Sequence, residues 1–182
     1  GATLTTDRFG NESSSYYFNA NEVAGPPGDF NNNFGGDYID LGQINPLQNS
    51  SAATVSLWIN PEVIPSGNPT NNSGSDVIIK KERYLMLTMN KFRNVQADIG
   101  ASFWNQNSRQ WRGAYVNTSN NLDLNKWHHL TAVLYEGRVS LYHQGQWLSS
   151  SENDRFSVSD NSWKMVIGAY YTGKIDDVRI YN

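Results

Sequence analysis

The stretch Trp127 to Leu148, WHHLTAVLYEGRVSLYHQGQWL, decides the fold. From Trp127 to Tyr135 it is dense in aromatic, β-branched and large apolar residues. Both faces therefore expect cover, which describes a central β-strand better than a helix. Glu136-Gly137 interrupts it. Arg138 to His143 then alternates Val139, Leu141 and His143 against Arg138, Ser140 and Tyr142, the two-residue period of a half-buried strand. Gln144-Gly145 reverses the chain again, and glycine supplies the positive φ that a tight hairpin requires. The stretch predicts a three-strand meander.

Working outward, the same alternation recurs along the chain. Ser15 to Phe18, Tyr38 to Leu41, Thr54 to Asn60, Asp76 to Lys81, Tyr84 to Met89 and Asn94 to Ile99 read as strands. So do Ala101 to Asn105, Gln110 to Val116, Trp163 to Ile167 and Gly173 to Tyr181. Asp7 to Asn11 is a polar turn. Asn21 to Gly36 has two prolines, four glycines and the run Asn31 to Asn33, a loop composition; Pro61 to Ser75 is a second long loop. No segment of helical length places apolar residues at i, i+3, i+4 and i+7. Many short strands and almost no helix predict an all-β fold, a jelly-roll β-sandwich of two antiparallel sheets with adjacent termini.

The chain has 182 residues, ordinary for one all-β domain, and residues 1–182 are read as a single module of a longer protein. Net charge is −3 with 17% charged residues, so there is no electrostatic footprint for nucleic acid. Mean hydropathy is −0.60, yet 13% aromatic residues in alternating runs predict a packed core. The absence of cysteine removes disulfides, thiol nucleophiles and thiolate metal sites. No apolar run approaches the roughly 20 residues that span a bilayer, so no membrane insertion is expected.

The Trp127 to Leu148 stretch resembles the signature hairpin of laminin-G-like, concanavalin-A-like lectin/glucanase domains, a Trp-His-His strand followed by L-Y-x-x-G. Other pieces follow in matching order: DRFGN (Asp7 to Asn11) with SYYFN (Ser15 to Asn19), GDYIDLG (Gly36 to Gly42), TVSLWINP (Thr54 to Pro61) and MVIGAYYTGKIDDVRIYN (Met165 to Asn182). The resemblance covers nearly the whole chain and implies a secreted or cell-surface location. It also marks 21–36 as longer than the family's usual connection, and inserted surface loops are where a scaffold acquires specificity. The family is functionally mixed, so the fold does not settle the function.

The resembling superfamily includes glucanases whose catalytic carboxylates alternate along one strand, as in E-x-D-x-E. This chain has no such pattern. Its closest groupings are Glu152-Asn153-Asp154 in a serine-rich stretch and Asp176-Asp177, whose strand neighbours are expected to face opposite ways. No enzyme activity is therefore expected. His128 and His129 diverge for the same reason, one packing between the sheets and the other on the far face, so they do not share a metal. The resemblance implies a structural calcium joining the first and last strands. It assigns Asp176 of the terminal D-x-V-R-x-Y motif as ligand, with Asn19 near the partner position. Carboxylate, amide and carbonyl oxygens suit Ca2+.

The aromatic residues carry the functional expectation. Sugar rings present apolar C–H faces that stack on flat aromatic surfaces, while amide and guanidinium groups bond their hydroxyls. The stretch Phe103 to Tyr115, FWNQNSRQWRGAY, supplies both through Trp104, Asn105, Trp111, Arg112 and Tyr115. Trp147 follows a glycine turn, and Tyr170 and Tyr171 precede the last strand. Trp58 and Trp127, inside apolar strands, are assigned to the core. These residues predict a non-catalytic, monomeric module that binds a polysaccharide or glycoconjugate on its concave sheet face or loop edge. The alternative is an adhesion or spacer domain of a large bacterial surface protein, binding protein or no ligand.

Overall fold

The computed structural model describes residues 1–20, 36–46, 50, 52–63, 76–81, 85–92, 96–105, 110–115, 122–151 and 162–182. The expected insertion at 21–36, apart from Gly36, and the Glu152 to Asp154 grouping lie outside them. Among the described residues there is no α-helix. The strands are β1 Thr3–Thr5, β2 Ser15–Phe18, β3 Ile39–Asp40, β4 Ala52–Pro61, β5 Asp76–Lys81, β6 Leu85–Phe92 and β7 Gln96–Asn105. They continue with β8 Gln110–Tyr115, β9 His128–Tyr135, β10 Arg138–His143, β11 Gln146–Ser150, β12 Met165–Ile167 and β13 Gly173–Tyr181. They form two antiparallel sheets, ordered β1-β2-β13-β4-β9-β10-β11 and β3-β12-β5-β6-β7-β8.

The meander forms as the sequence predicts. Its two turns, Glu136-Gly137 (φ 47° and 79°) and Gln144-Gly145 (φ 51° and 76°), both have two positive φ values. That is the type I′ geometry whose twist matches the flanking strands. β9 is central in its sheet, between β4 and β10. Alternation then builds the core. Ala53, Val55, Leu57 and Ile59 of β4 join Leu130, Ala132 and Leu134 of β9 and Val139 and Leu141 of β10, all at most 3% exposed. From the other sheet come Ile78, Ile79, Leu85, Leu87, Met89, Met165 and Ile167. Each such valine, leucine, isoleucine or methionine side chain contributes about 1.5–3 kcal/mol on burial.

Some expectations are corrected. The expected strands Asn94 to Ile99 and Ala101 to Asn105 are, from Gln96 on, one strand, β7, because Gly100 stays in the ladder opposite Thr88 and Tyr115; Asn94 and Val95 lie outside the described residues. β1 was not anticipated; its three residues are too short to show a period, and its pairing with β2 is tertiary. Trp58 is not in the core. It occupies the β4 parity opposite Val55, Leu57 and Ile59 and is only half-buried. Trp127 sits half-buried just before β9. Asp176 and Asp177 do not simply face opposite ways, because the β13–β4 register shifts between Asp176 and Arg179. Asp177 takes φ 51° at this bulge, and both carboxylates reach Arg8.

Two glycines fix how the last strands close the sandwich. Gly168 has φ 83°, and a side chain there would overlap the Phe18 ring in the core. Gly173, at φ 143°, leaves no room for a Cβ against the Asn60 carbonyl across the β13–β4 ladder.

Candidate functional site

The outer face of the β3-β12-β5-β6-β7-β8 sheet gathers four of the sequence-predicted positions. Val166 of β12 lies between Met165 and Ile167, which both belong to the main core, so its own side chain faces away from that core. With Val77 and Ala169 it makes a second, smaller apolar cluster, against which Tyr38 and Tyr170 pack half-buried. Tyr170 reaches this face because the turn after β12 is strained, with Tyr170 itself at φ 62°. The turn is pinned by main-chain bonds Gly168 N–H to Ile78 O (3.1 Å) and Val77 N–H to Ala169 O (2.8 Å).

The register carries the same parity across the sheet. Val166 pairs with Lys80, Lys80 with Met86, Met86 with Ser102, and Ser102 with Gly113. One rung along, Thr88 pairs with Val77 and Gly100, and Gly100 with Tyr115. At the far end Trp104 pairs with Trp111. Positions 104, 111 and 115 therefore fall on the ladder face of Lys80, Met86 and Thr88. Positions 105 and 112 fall with the core-facing set of Leu85 and Leu87, so register separates Asn105 and Arg112 from the tryptophans. From β12 to β8 this face spans about 19 Å at the usual strand spacing. Lys80 (7% exposed) and Thr88 (2%) are shielded from solvent although they lie on it.

The remaining predicted residues lie elsewhere. Tyr171 is fully buried, edge-on to Phe18 with ring centroids 6.4 Å apart, and its hydroxyl donates to the Lys174 carbonyl at 3.3 Å. Burial, then the charges of Asp76 and Glu62, holds its phenol well above the usual range. It is a core residue and offers no ligand surface. Trp147 is 61% exposed on the other sheet, opposite Tyr142.

Asp176 and Asn19 do not converge. Asp176 lies one residue past Ile175, which pairs with Tyr16, whereas Asn19 follows Phe18, which pairs with Gly173. The two are about 13 Å apart along the strands. Asp176 accepts a 2.6 Å charged hydrogen bond from Arg8 Nη1, and the Asn19 main chain is tied to Asp37 on both sides. The pair thus does not fit a shared calcium: a guanidinium occupies the position beside Asp176. No group of three or more His, Cys, Asp or Glu that could hold a metal exists among the described residues.

The histidines behave as strand alternation predicts. His128 is 6% exposed and faces inward. Its Nε2 donates to the Asp123 carbonyl at 2.8 Å, which leaves Nδ1 to accept from His143 Nε2 at 2.9 Å. His129 faces outward, with Nε2 at 2.9 Å from Ser56 Oγ and its ring 5.0 Å from that of Trp58. Burial holds His143 below the usual histidine range, helped by His128 and His129; burial followed by Arg8 does the same for His129. Asp76, at the inner end of β5, is pushed up to about 8 by burial.

The family model for the concanavalin A-like lectin/glucanase superfamily (Laminin_G_3) matches residues 31–182. No curated protein matches the sequence. Among solved structures, the binding domain of botulinum neurotoxin serotype D is similar over 100% of this chain and 41% of its own, with TM-score 0.64 and 18% identity. Domain 4 of AbnA, an extracellular arabinanase from Geobacillus stearothermophilus solved with arabinotriose, is similar over 100% of this chain and 82% of its own, with TM-score 0.56 and 20% identity. An alginate lyase from Alteromonas sp. 272 is similar over 93% of this chain and 88% of its own, with TM-score 0.58 and 11% identity. At these identities the likeness is one of fold, shared by binding domains and enzymes. The chain spans about two fifths of the neurotoxin binding domain.

Proposed function

The chain belongs to the concanavalin A-like lectin/glucanase superfamily, and from that membership we propose that it is a non-catalytic carbohydrate-binding module, secreted or displayed at a cell surface. The ligand is a polysaccharide or glycoconjugate laid across the outer face of the six-stranded sheet. One observation carries the reading. Ladder register puts positions 104, 111 and 115 on the same sheet face as the Tyr38 and Tyr170 cluster. Aromatic positions that share one sheet face are what sugar stacking requires. The arabinotriose-bound AbnA domain supports the sugar class as a ligand for this architecture. The lack of alternating carboxylates speaks for binding without hydrolysis.

A glycan-array screen of the purified domain is expected to show binding to a defined sugar class. Trp111→Ala is expected to abolish it without lowering the melting temperature by more than a few degrees. Binding unchanged in Trp111→Ala would remove the hairpin from the site, and a blank array with folded protein would favour an adhesion or spacer role.

A further inference from the structure

Between the two sheets, along the edge where β2 and β13 face β3 and β12, the core does not close. A cleft of about 380 Å3 lies there. Its inner wall is Phe18, Ile167 and Ile175, each at most 7% exposed. Nearer to solvent it is lined by Tyr16, 43% exposed, and by the half-buried Ile39 and Leu41. Leu4, 57% exposed, pairs with Tyr16, so apolar surface continues outward from the cleft onto β1. The polar lining gathers at one end. Ile175 pairs with Tyr16, which sets Asp176 across the ladder from Ser15, and Ser14 and Asp177 complete that end.

Two features of the chain leave the cleft open. The edge strand β3 pairs with β12 through Ile39 and Asp40 alone, whereas the facing sheet continues past β13 through β2 to β1. In addition, β13 carries one extra residue against β4 between Asp176 and Arg179, and at this bulge Asp177 takes φ 51°. Bulges of this kind re-aim side chains beside functional sites; here Asp177 and Val178 both line the cleft.

Size and chemistry together select the ligand. The volume is about two and a half times the roughly 150 Å3 cavity that accepts a benzene, and falls within the range of about 300–1,000 Å3 usual for small-molecule sites. From Ser14 to Phe18 the chain offers about 13 Å of extended strand as one wall. No lysine, arginine or histidine lines the cleft. Its two carboxylates are matched by two guanidiniums, Arg8 on Asp176 and Asp177 and Arg179 on Asp177. An anionic ligand would therefore meet carboxylates without a spare cation, and a cationic one would have to compete with Arg8. The polar end does present acceptors. Ser14 Oγ and Ser15 Oγ already donate their protons to the carbonyls of Glu12 and Thr6, and Asp176 Oδ1 takes no bond among the described residues. A ligand that satisfies these groups must bring a donor.

We infer that this cleft is a small-molecule site for an uncharged hydrocarbon that carries a hydroxyl. The hydrocarbon lies along β2 against Phe18, Ile167 and Ile175, and the hydroxyl donates at the Asp176 end. The site is separate from the outer face of the six-stranded sheet and goes beyond the glycan reading.

The test is calorimetric titration of the chain with decanol and with decanoate, together with NMR of the decanol complex. Decanol is expected to bind saturably at one site, and decanoate at least about tenfold more weakly, because its charge is desolvated without a partner. Intermolecular NOEs are expected from the decanol methyl to Phe18 and Ile167. Ile39→Phe, which adds volume inside the cleft, and Tyr16→Ala, which removes part of its wall, are both at partly exposed positions. Each is expected to melt within a few degrees of the parent and to weaken decanol binding, Ile39→Phe by about tenfold or more. Absence of saturable decanol binding by the parent overturns the site, and so do NOEs confined to residues outside the cleft. Equal affinity for decanoate overturns the choice of an uncharged ligand. Each of these failures leaves the glycan array result untouched, so the two readings stand or fall separately.

Discussion

Three ionisable side chains make stability depend on pH in opposite directions. His143 and His129 are held below 6.5 by burial, so the folded chain prefers them neutral while the unfolded chain takes up protons near that value. Their contribution is complete above pH 6.5 and is lost as pH falls below it. Melting temperature is expected to drop between pH 7 and pH 5, and His143→Gln is expected to flatten that slope in thermal melts. Asp76 has the reverse sign. Its folded pKa, about 8 against 3.8 unfolded, makes its contribution complete below 3.8 and loses it progressively as pH rises toward 8. The slope is at most about 1.4 kcal/mol per pH unit. Asp76→Asn is thus expected to raise the melting temperature at pH 8 and to lose this advantage at pH 4. An Asp76→Asn variant less stable than parent at pH 8 would show that the carboxylate has a partner.

At the scale of elements, the β1–β2 turn and the β13 bulge are joined by Arg8. Its side chain is 19% exposed and that of Asp176 11%, so removing the guanidinium leaves a largely desolvated carboxylate. Arg8→Ala is expected to cost about 2 kcal/mol, between a surface pair and a buried one. Because Arg8 fills the place a cation would take, Asp176→Ala is expected to lower the melting temperature equally in calcium and in chelator. A loss seen only in calcium would restore Asp176 as a metal ligand. Gly168→Ala is expected to be more damaging, at about 3 kcal/mol, since it combines positive φ with overlap of the Phe18 ring. Denaturant melts of the two variants would rank them.

At the scale of the whole molecule, period-two alternation, type I′ turn chemistry and the absence of helical spacing were sufficient for two antiparallel sheets and for the β9-β10-β11 meander. Those signals are local, because side-chain alternation and turn φ values depend only on near neighbours in sequence. Alternation in Thr54 to Asn60 even placed Trp58 on the solvent parity; assigning it to the core because it sits inside an apolar strand was the error. What the tertiary structure alone decided was which strands neighbour which and therefore which aromatics share a face. Trp104, Trp111 and Tyr115 join Tyr38 and Tyr170 only through the order β3-β12-β5-β6-β7-β8, while Trp147 goes to the opposite sheet and Tyr171 into the core. Asp176 likewise looked free for a metal until a turn 168 residues away in sequence brought Arg8 to it. Strand order and such long-range pairs arise from packing two sheets on one core, and no local window of sequence contains that information.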